Sequence, residues 1–243
     1  MRRSIVSWLL VLVAALLLSS CFDSREEVWI NADASGAARI TITLPAVATR
    51  LNGGEAGVKK MIGDYLSESP QFSSYIVKSE QTADGLEFDV IVTFDNVMEL
   101  RKLSESPAAK KLPSGSASFM GKTHVEFEKL NVNFKRSVEL SKAVPGAIFM
   151  PRSQLAGHTI TTIIHLPLAA TSHNAHTVSE GGRTLTWETP LATAFLGPVE
   201  TTFIMPLPIP WSTIIMVTTL LVSLSVFLIY YFLRRKKARS TKA

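Results

Sequence analysis

The sequence predicts an α+β fold, an antiparallel sheet with one or two covering helices, followed by a single C-terminal transmembrane helix. Three observations carry that expectation. Several segments alternate apolar and polar residues with period two, the pattern of strands buried on one face only. One segment, Val58, Met61, Ile62, Tyr65 and Leu66, repeats instead with helical spacing. And 23 residues from Trp211 to Leu233 carry no charge. At about 1.5 Å per residue they would reach roughly 34 Å as a helix, enough to span a hydrocarbon core of about 30 Å.

The elements follow in chain order. Arg2 and Arg3 precede the apolar run Ile5 to Leu18, too short to span and read as a signal peptide over residues 1–20. Leu18-Ser19-Ser20-Cys21 follows, and it resembles the lipobox of bacterial lipoproteins. That resemblance implies that Cys21 is the lipidation site. Cys21 is also the single cysteine of the chain, so a disulfide framework is excluded.

Residues 21–205 form the expected extracytoplasmic domain. A polar strand from Glu27 to Asn31, a turn from Asp33 to Gly36 and a strand through Ile40, Ile42 and Leu44 begin it. The stripe from Val58 to Leu66 is the main helix, ended before Pro70. Asp84-Gly85 separates strands around Val77 and around Phe88, Val90, Val92 and Phe94. Asn96 and Glu99 have the spacing of a capping box ahead of a short helix with Val97 and Leu100. Pro107 to Ser118, with Lys110-Lys111 and Pro113-Ser114-Gly115-Ser116, reads as a solvated connector. Val125 and Phe127 alternate with Glu126 and Glu128, and Leu185 and Trp187 with Thr184, Thr186 and Glu188. Prolines at 206, 208 and 210 make residues 206–210 a stiff neck. Residues 211–233 are the expected span, with Trp211, Tyr230 and Tyr231 near its ends, and 234–243 a basic tail.

Charge sorts the function classes. The chain has 25 basic and 20 acidic residues, net +5, but eight of the basic residues lie outside Phe22 to Pro210. Between those two positions the balance is 17 − 20 = −3. The basicity therefore flanks the apolar blocks, and nucleic acid is not an expected partner. Arg234-Arg235-Lys236-Lys237 would face the cytoplasm under the positive-inside rule. Together with an acylated Cys21 this predicts residence in the plasma or inner membrane, lipid-anchored and single-pass, with the domain extracytoplasmic and the C-terminus cytoplasmic.

In the C-terminal third, Ile164-His165-Leu166-Pro167, Ser172-His173-Asn174-Ala175 and Gly181-Gly182-Arg183-Thr184-Leu185-Thr186-Trp187 follow one another. With the lipobox and the strand, turn and strand after it, they resemble the LppM-type domain of bacterial membrane-anchored lipoproteins. The resemblance implies an extracytoplasmic α+β domain that binds envelope lipid or glycolipid, and it carries over no catalytic residue.

No phosphate-binding loop, G-x-S-x-G elbow, H-E-x-x-H or dinucleotide fingerprint is present, so no enzyme and no cofactor is expected. His173 and His176, with His124, His158 and His165, are the candidate metal ligands, but Asn174 and Gly181-Gly182 place the pair in a loop, and a structural role is expected instead. The candidate lipid-binding residues are Ile148, Phe149 and Met150, in the apolar stretch from Val144 to Met150. The expected partners are membrane lipids. The alternative reading is a protein-interaction or assembly factor of a membrane complex, with Thr218, Thr219, Ser223 and Ser225 available for helix packing.

Overall fold

The computed structural model describes residues 23–44, 46–83, 85–111, 117–143, 151–209 and 211–240. Cys21 and the segment 144–150 with Ile148, Phe149 and Met150 lie outside the described residues. The chain divides into two units, residues 1–207 and 208–243.

The first unit is built on a seven-stranded sheet ordered β3-β4-β2-β1-β7-β10-β9. Its strands are β1 (Ser24–Ile30), β2 (Gly36–Leu44), β3 (Ser74–Gln81), β4 (Leu86–Phe94), β7 (Thr159–His165), β9 (Thr177–Ser179) and β10 (Thr184–Pro190). A second sheet, ordered β5-β6-β11-β8, uses β5 (Lys122–Glu128), β6 (Asn131–Val138), β8 (Ser172–His173) and β11 (Val199–Pro206). The helices are α1 (Ala46–Leu51), α2 (Gly54–Ser67), α3 (Pro107–Lys111), α4 (Ala117–Met120), α5 (Leu140–Ala143), α6 (Arg152–Leu155), α7 (Leu191–Ala194) and α8 (Trp211–Ser240).

The turn between β1 and β2 shows why the hairpin forms where the sequence places it. The Ser35 amide and hydroxyl both donate to Asp33 Oδ1, at 3.0 and 2.7 Å, and these bonds hold the Asp33 carboxyl below its ordinary value. Gly36 then opens β2 opposite Ile30. A Cβ there would lie 2.1 Å from the Trp29 carbonyl oxygen and 2.7 Å from the Phe94 ring. Only glycine allows that approach.

One face of the large sheet is covered in two halves. Over β2 and β4, α2 packs Val58 against Leu86 and Phe88, and Leu66 among Ala38, Val90, Val92 and Phe94. Over β7 and β10 the second sheet does the covering, and Ile164, Leu166, Leu185 and Trp187 meet Val132, Phe203 and Met205. A polar pair crosses the same interface, with Arg136 Nη1 on β6 donating to Glu26 Oε2 on β1 at 2.5 Å. Asn174, just after β8, ties the layers further. Its Oδ1 accepts from Trp187 Nε1 at 2.7 Å and from the Thr202 amide at 2.8 Å, and its Nδ2 donates to the Glu200 carbonyl at 2.9 Å.

The strand ends define two ends of this unit. At the near end β1 and β7 begin, β6 ends and β11 begins. There Leu140, Leu155, Leu191, Ala194 and Phe195 close the interior against Val138, Ile160 and Val199. At the far end β11 finishes, and the Leu207 amide donates to the Leu130 carbonyl at 2.7 Å.

Several expectations are corrected. The strands form two sheets, because alternation marks a half-buried strand without saying which sheet it joins. One pairing, β1 with β7, is parallel. The capping box forms only in part: Asn96 Oδ1 accepts from the Met98 amide at 2.9 Å, whereas the Glu99 carboxylate binds Lys102 Nζ at 2.7 Å. Val97–Glu105 is a 3-10 helix. The supposed connector holds α3, whose Ala108 and Ala109 are buried and whose Ala109 amide is capped by Ser106 Oγ at 3.0 Å.

The second unit corrects the membrane reading. Residues Trp211–Ser240 do form one helix, but no helix among the described residues is long and apolar enough to cross a membrane. The hydroxyls of Thr218, Thr219, Ser223 and Ser225 each bond back to a carbonyl of this helix. The expected transmembrane helix falls with this finding, and so does the single-pass placement in a plasma or inner membrane.

Candidate functional site

The covered face of the large sheet is packed with apolar side chains from α2 and the strands beneath it. The opposite face carries the chemistry. Cross-strand register puts Arg25, Glu27 and Trp29 of β1 beside Thr41, Arg39 and Ala37 of β2, and beside Thr161, Ile163 and His165 of β7. Asp89 and Ile91 of β4 continue the row beyond Thr41 and Arg39. Because strand side chains alternate, these residues all project from one face.

Their polar atoms form two connected groups. Arg39 forks onto Asp89, Nε to Oδ1 at 2.7 Å and Nη2 to Oδ2 at 3.1 Å. That bidentate pairing fixes the guanidinium plane, and the Asp89 hydrogen bond and charge raise the Arg39 pKa. In the second group Glu27 bridges two partners, Arg25 Nη2 at 3.2 Å and His165 Nε2 at 2.8 Å. His165 Nδ1 lies 3.0 Å from Thr184 Oγ1, which donates to Glu180 Oε2 at 2.9 Å. Burial alone would raise the Glu27 pKa, but the His165 hydrogen bond, then the Arg25 hydrogen bond and charge, outweigh it and hold the carboxyl below its ordinary 4.5.

Arg25, Glu27, Arg39, Thr41 and Glu87 line a depression of about 240 Å³ on this face. Beside it the Trp29 indole is stacked on the His165 ring, with centroids 5.1 Å apart and planes 3° from parallel. Trp29 remains 37% exposed. The arrangement thus offers guanidinium and hydroxyl donors, carboxylate acceptors and an oriented aromatic plate. A second depression, of about 300 Å³, lies between α2 and α3 and is rimmed by Lys60, Asp64, Glu68 and Lys111. Both are open and bordered by charge.

The histidines do not converge. His173 Nδ1 accepts from the Ala175 amide at 3.2 Å and His176 Nδ1 from the Glu188 amide at 2.9 Å. His158 Nδ1 faces Asp23 Oδ2 at 3.2 Å. Among the described residues no group of three His, Cys, Asp or Glu side chains is placed to hold a metal. The sequence reading missed Arg25, Glu27, Trp29, Arg39 and Thr41 as a group. Their alternation was visible, but the adjacency of β1 to β7, which brings His165 to Trp29, was not.

No family model matches the chain, and no curated protein matches it either. Among solved structures it is similar to the folded domain of the Mycobacterium tuberculosis LppM protein, at 14% identity and a TM-score of 0.49, over 78% of this chain and 92% of that one. It is also similar to an M1 zinc metallopeptidase from Deinococcus radiodurans, seen in a substrate-bound variant and in a second crystal structure, at 14% identity and TM-scores of 0.28 and 0.26. There the likeness covers 76% of this chain and 41% of the peptidase.

Proposed function

We propose that this chain is a bacterial lipoprotein, acylated at Cys21, whose domain binds envelope glycolipid without catalysis. The lipobox supports the anchor. The observation that carries the ligand class is the exposed Trp29 plate beside the Arg25, Glu27, Arg39 and Thr41 depression.

Charge arithmetic favours a neutral polyol over a phosphate. Two guanidinium groups line the depression with two carboxylates, and Asp89 adjoins it. A phosphate would meet repulsion from the carboxylates, whereas a sugar hydroxyl can donate to a carboxylate and accept from a guanidinium or threonine. The C–H face of a sugar ring suits the electron-rich face of an indole. The charged and hydroxyl lining of the depression suits a lipid's headgroup, the part recognised in this reading.

Saturation-transfer NMR on the full chain, with diglucosyl-glycerol and glycerol phosphate as probes, tests this. Transfer to the sugar ring protons that Trp29→Ala abolishes is the expected result. Equal transfer to both probes, or to neither, would refute it.

A further inference from the structure

We propose that the near end of the domain is a docking surface for an anionic phospholipid bilayer, seated there by the acylated Cys21 and making contact through Leu51 and Leu196. The inference rests on the lipobox reading, and adds to it an orientation and a contact surface.

The tether length comes first. The described chain begins at Asp23, whose Oδ1 accepts from the Thr159 amide at 2.9 Å and whose carbonyl accepts from the Thr43 amide at 3.2 Å. The domain is thus gripped two residues after Cys21. Only Phe22 separates Cys21 from Asp23 in the sequence, and at about 3.6 Å per extended residue the chain between them can reach no more than about 7 Å. Acyl chains on that cysteine bring the near end against the headgroups, with no linker to hold it away.

What the fold gathers at this end fits a lipid surface. β2 finishes at Leu44 beside the start of β4, and α1 follows at once, ending in Leu51, 72% exposed. β10 finishes at Pro190 opposite Thr159, and the Leu191 amide donates to the His158 carbonyl at 2.9 Å. The turn after α7 then presents Leu196, 66% exposed. Arg50 and Arg152 are exposed at the same end, where cations favour anionic headgroups. Exposed leucines also occur elsewhere: Leu130, 64% exposed, sits in the turn between β5 and β6 at the far end. At about 3.3 Å per residue along strands of seven to nine residues, the two ends are roughly 25 Å apart. Exposure is therefore shared by both ends, and the tether selects one.

The single cysteine makes the test clean, because an acylated thiol takes no maleimide or iodoacetamide label. Leu51→Cys, Leu196→Cys and Leu130→Cys are made in the full chain, labelled with an environment-sensitive fluorophore and placed in vesicles of phosphatidylethanolamine and phosphatidylglycerol with brominated acyl chains. The expected result is about twofold quenching at positions 51 and 196, as for groups seated at the headgroup and acyl boundary, and none at 130. Adding Leu51→Asp should weaken quenching of the label at 196. If the chain floats with the vesicles while 51 and 196 stay unquenched, or if all three positions quench alike, docking is overturned and the anchor stands. If Cys21 of the unsubstituted chain itself takes the label, the anchor fails and this proposal with it.

Discussion

Replacing Asn174 with alanine should destabilise the domain by about 2–4 kcal/mol, although the residue itself is exposed. Its amide makes three hydrogen bonds, to Trp187 Nε1, the Thr202 amide and the Glu200 carbonyl. A typical bond contributes about 1 kcal/mol net, and a buried group left without its partner costs about 1–3 kcal/mol. The Trp187 side chain is 2% exposed, so its N–H cannot turn to water instead. Asn174→Asp keeps the acceptor but turns a carboxylate oxygen towards the Glu200 carbonyl, two acceptors that repel, and should cost about 1–3 kcal/mol. Trp187→Phe removes the donor, so the double variant should recover about 1 kcal/mol relative to the sum of the single changes. Chemical denaturation followed by circular dichroism measures all four proteins. Additivity of the two changes, or a loss below about 0.5 kcal/mol for Asn174→Ala, would show that this side chain does not tie the two layers together.

Three further outcomes are expected. The folded pKa of Glu27 is lowered, so its contribution to stability is present above its ordinary 4.5 and is lost as pH falls through the lowered value; in denaturation curves against pH, Glu27→Gln should flatten the acid limb of the wild-type profile. Gly36→Ala forces a methyl group onto the Trp29 carbonyl and the Phe94 ring, and should cost about 2–3 kcal/mol in thermal unfolding by overpacking. Arg136→Met leaves the Glu26 carboxylate without this partner between the two sheets; a loss of about 1–3 kcal/mol is expected, and most of it should return on adding Glu26→Gln, as denaturation of the double variant would show.

Much of the secondary structure was legible because it depends on neighbours along the chain. Ile40, Ile42 and Leu44 alternate as a strand must, and the stripe from Val58 to Leu66 became α2 with Val58 and Leu66 buried. The turn at Asp33 declares itself because its side chain bonds two residues on. The candidate site was not legible in the same way. Glu27 and His165 are separated by more than a hundred residues, and they touch only because β1 pairs in parallel with β7.

The sequence by itself determined the local features of this protein: the alternating strands, the Asp33 turn and the amphipathic helix, each dictated by residues within a few positions of one another. Tertiary structure alone decided the partition into two sheets, the assembly of Arg25, Glu27, Trp29, Arg39 and His165 on one open face, and the gathering of Asp23, Leu51 and Leu196 at one end. The physical reason is that hydrophobic periodicity says which face of a strand is buried but not what buries it. Pairing between distant strands is chosen by the packing of the whole core.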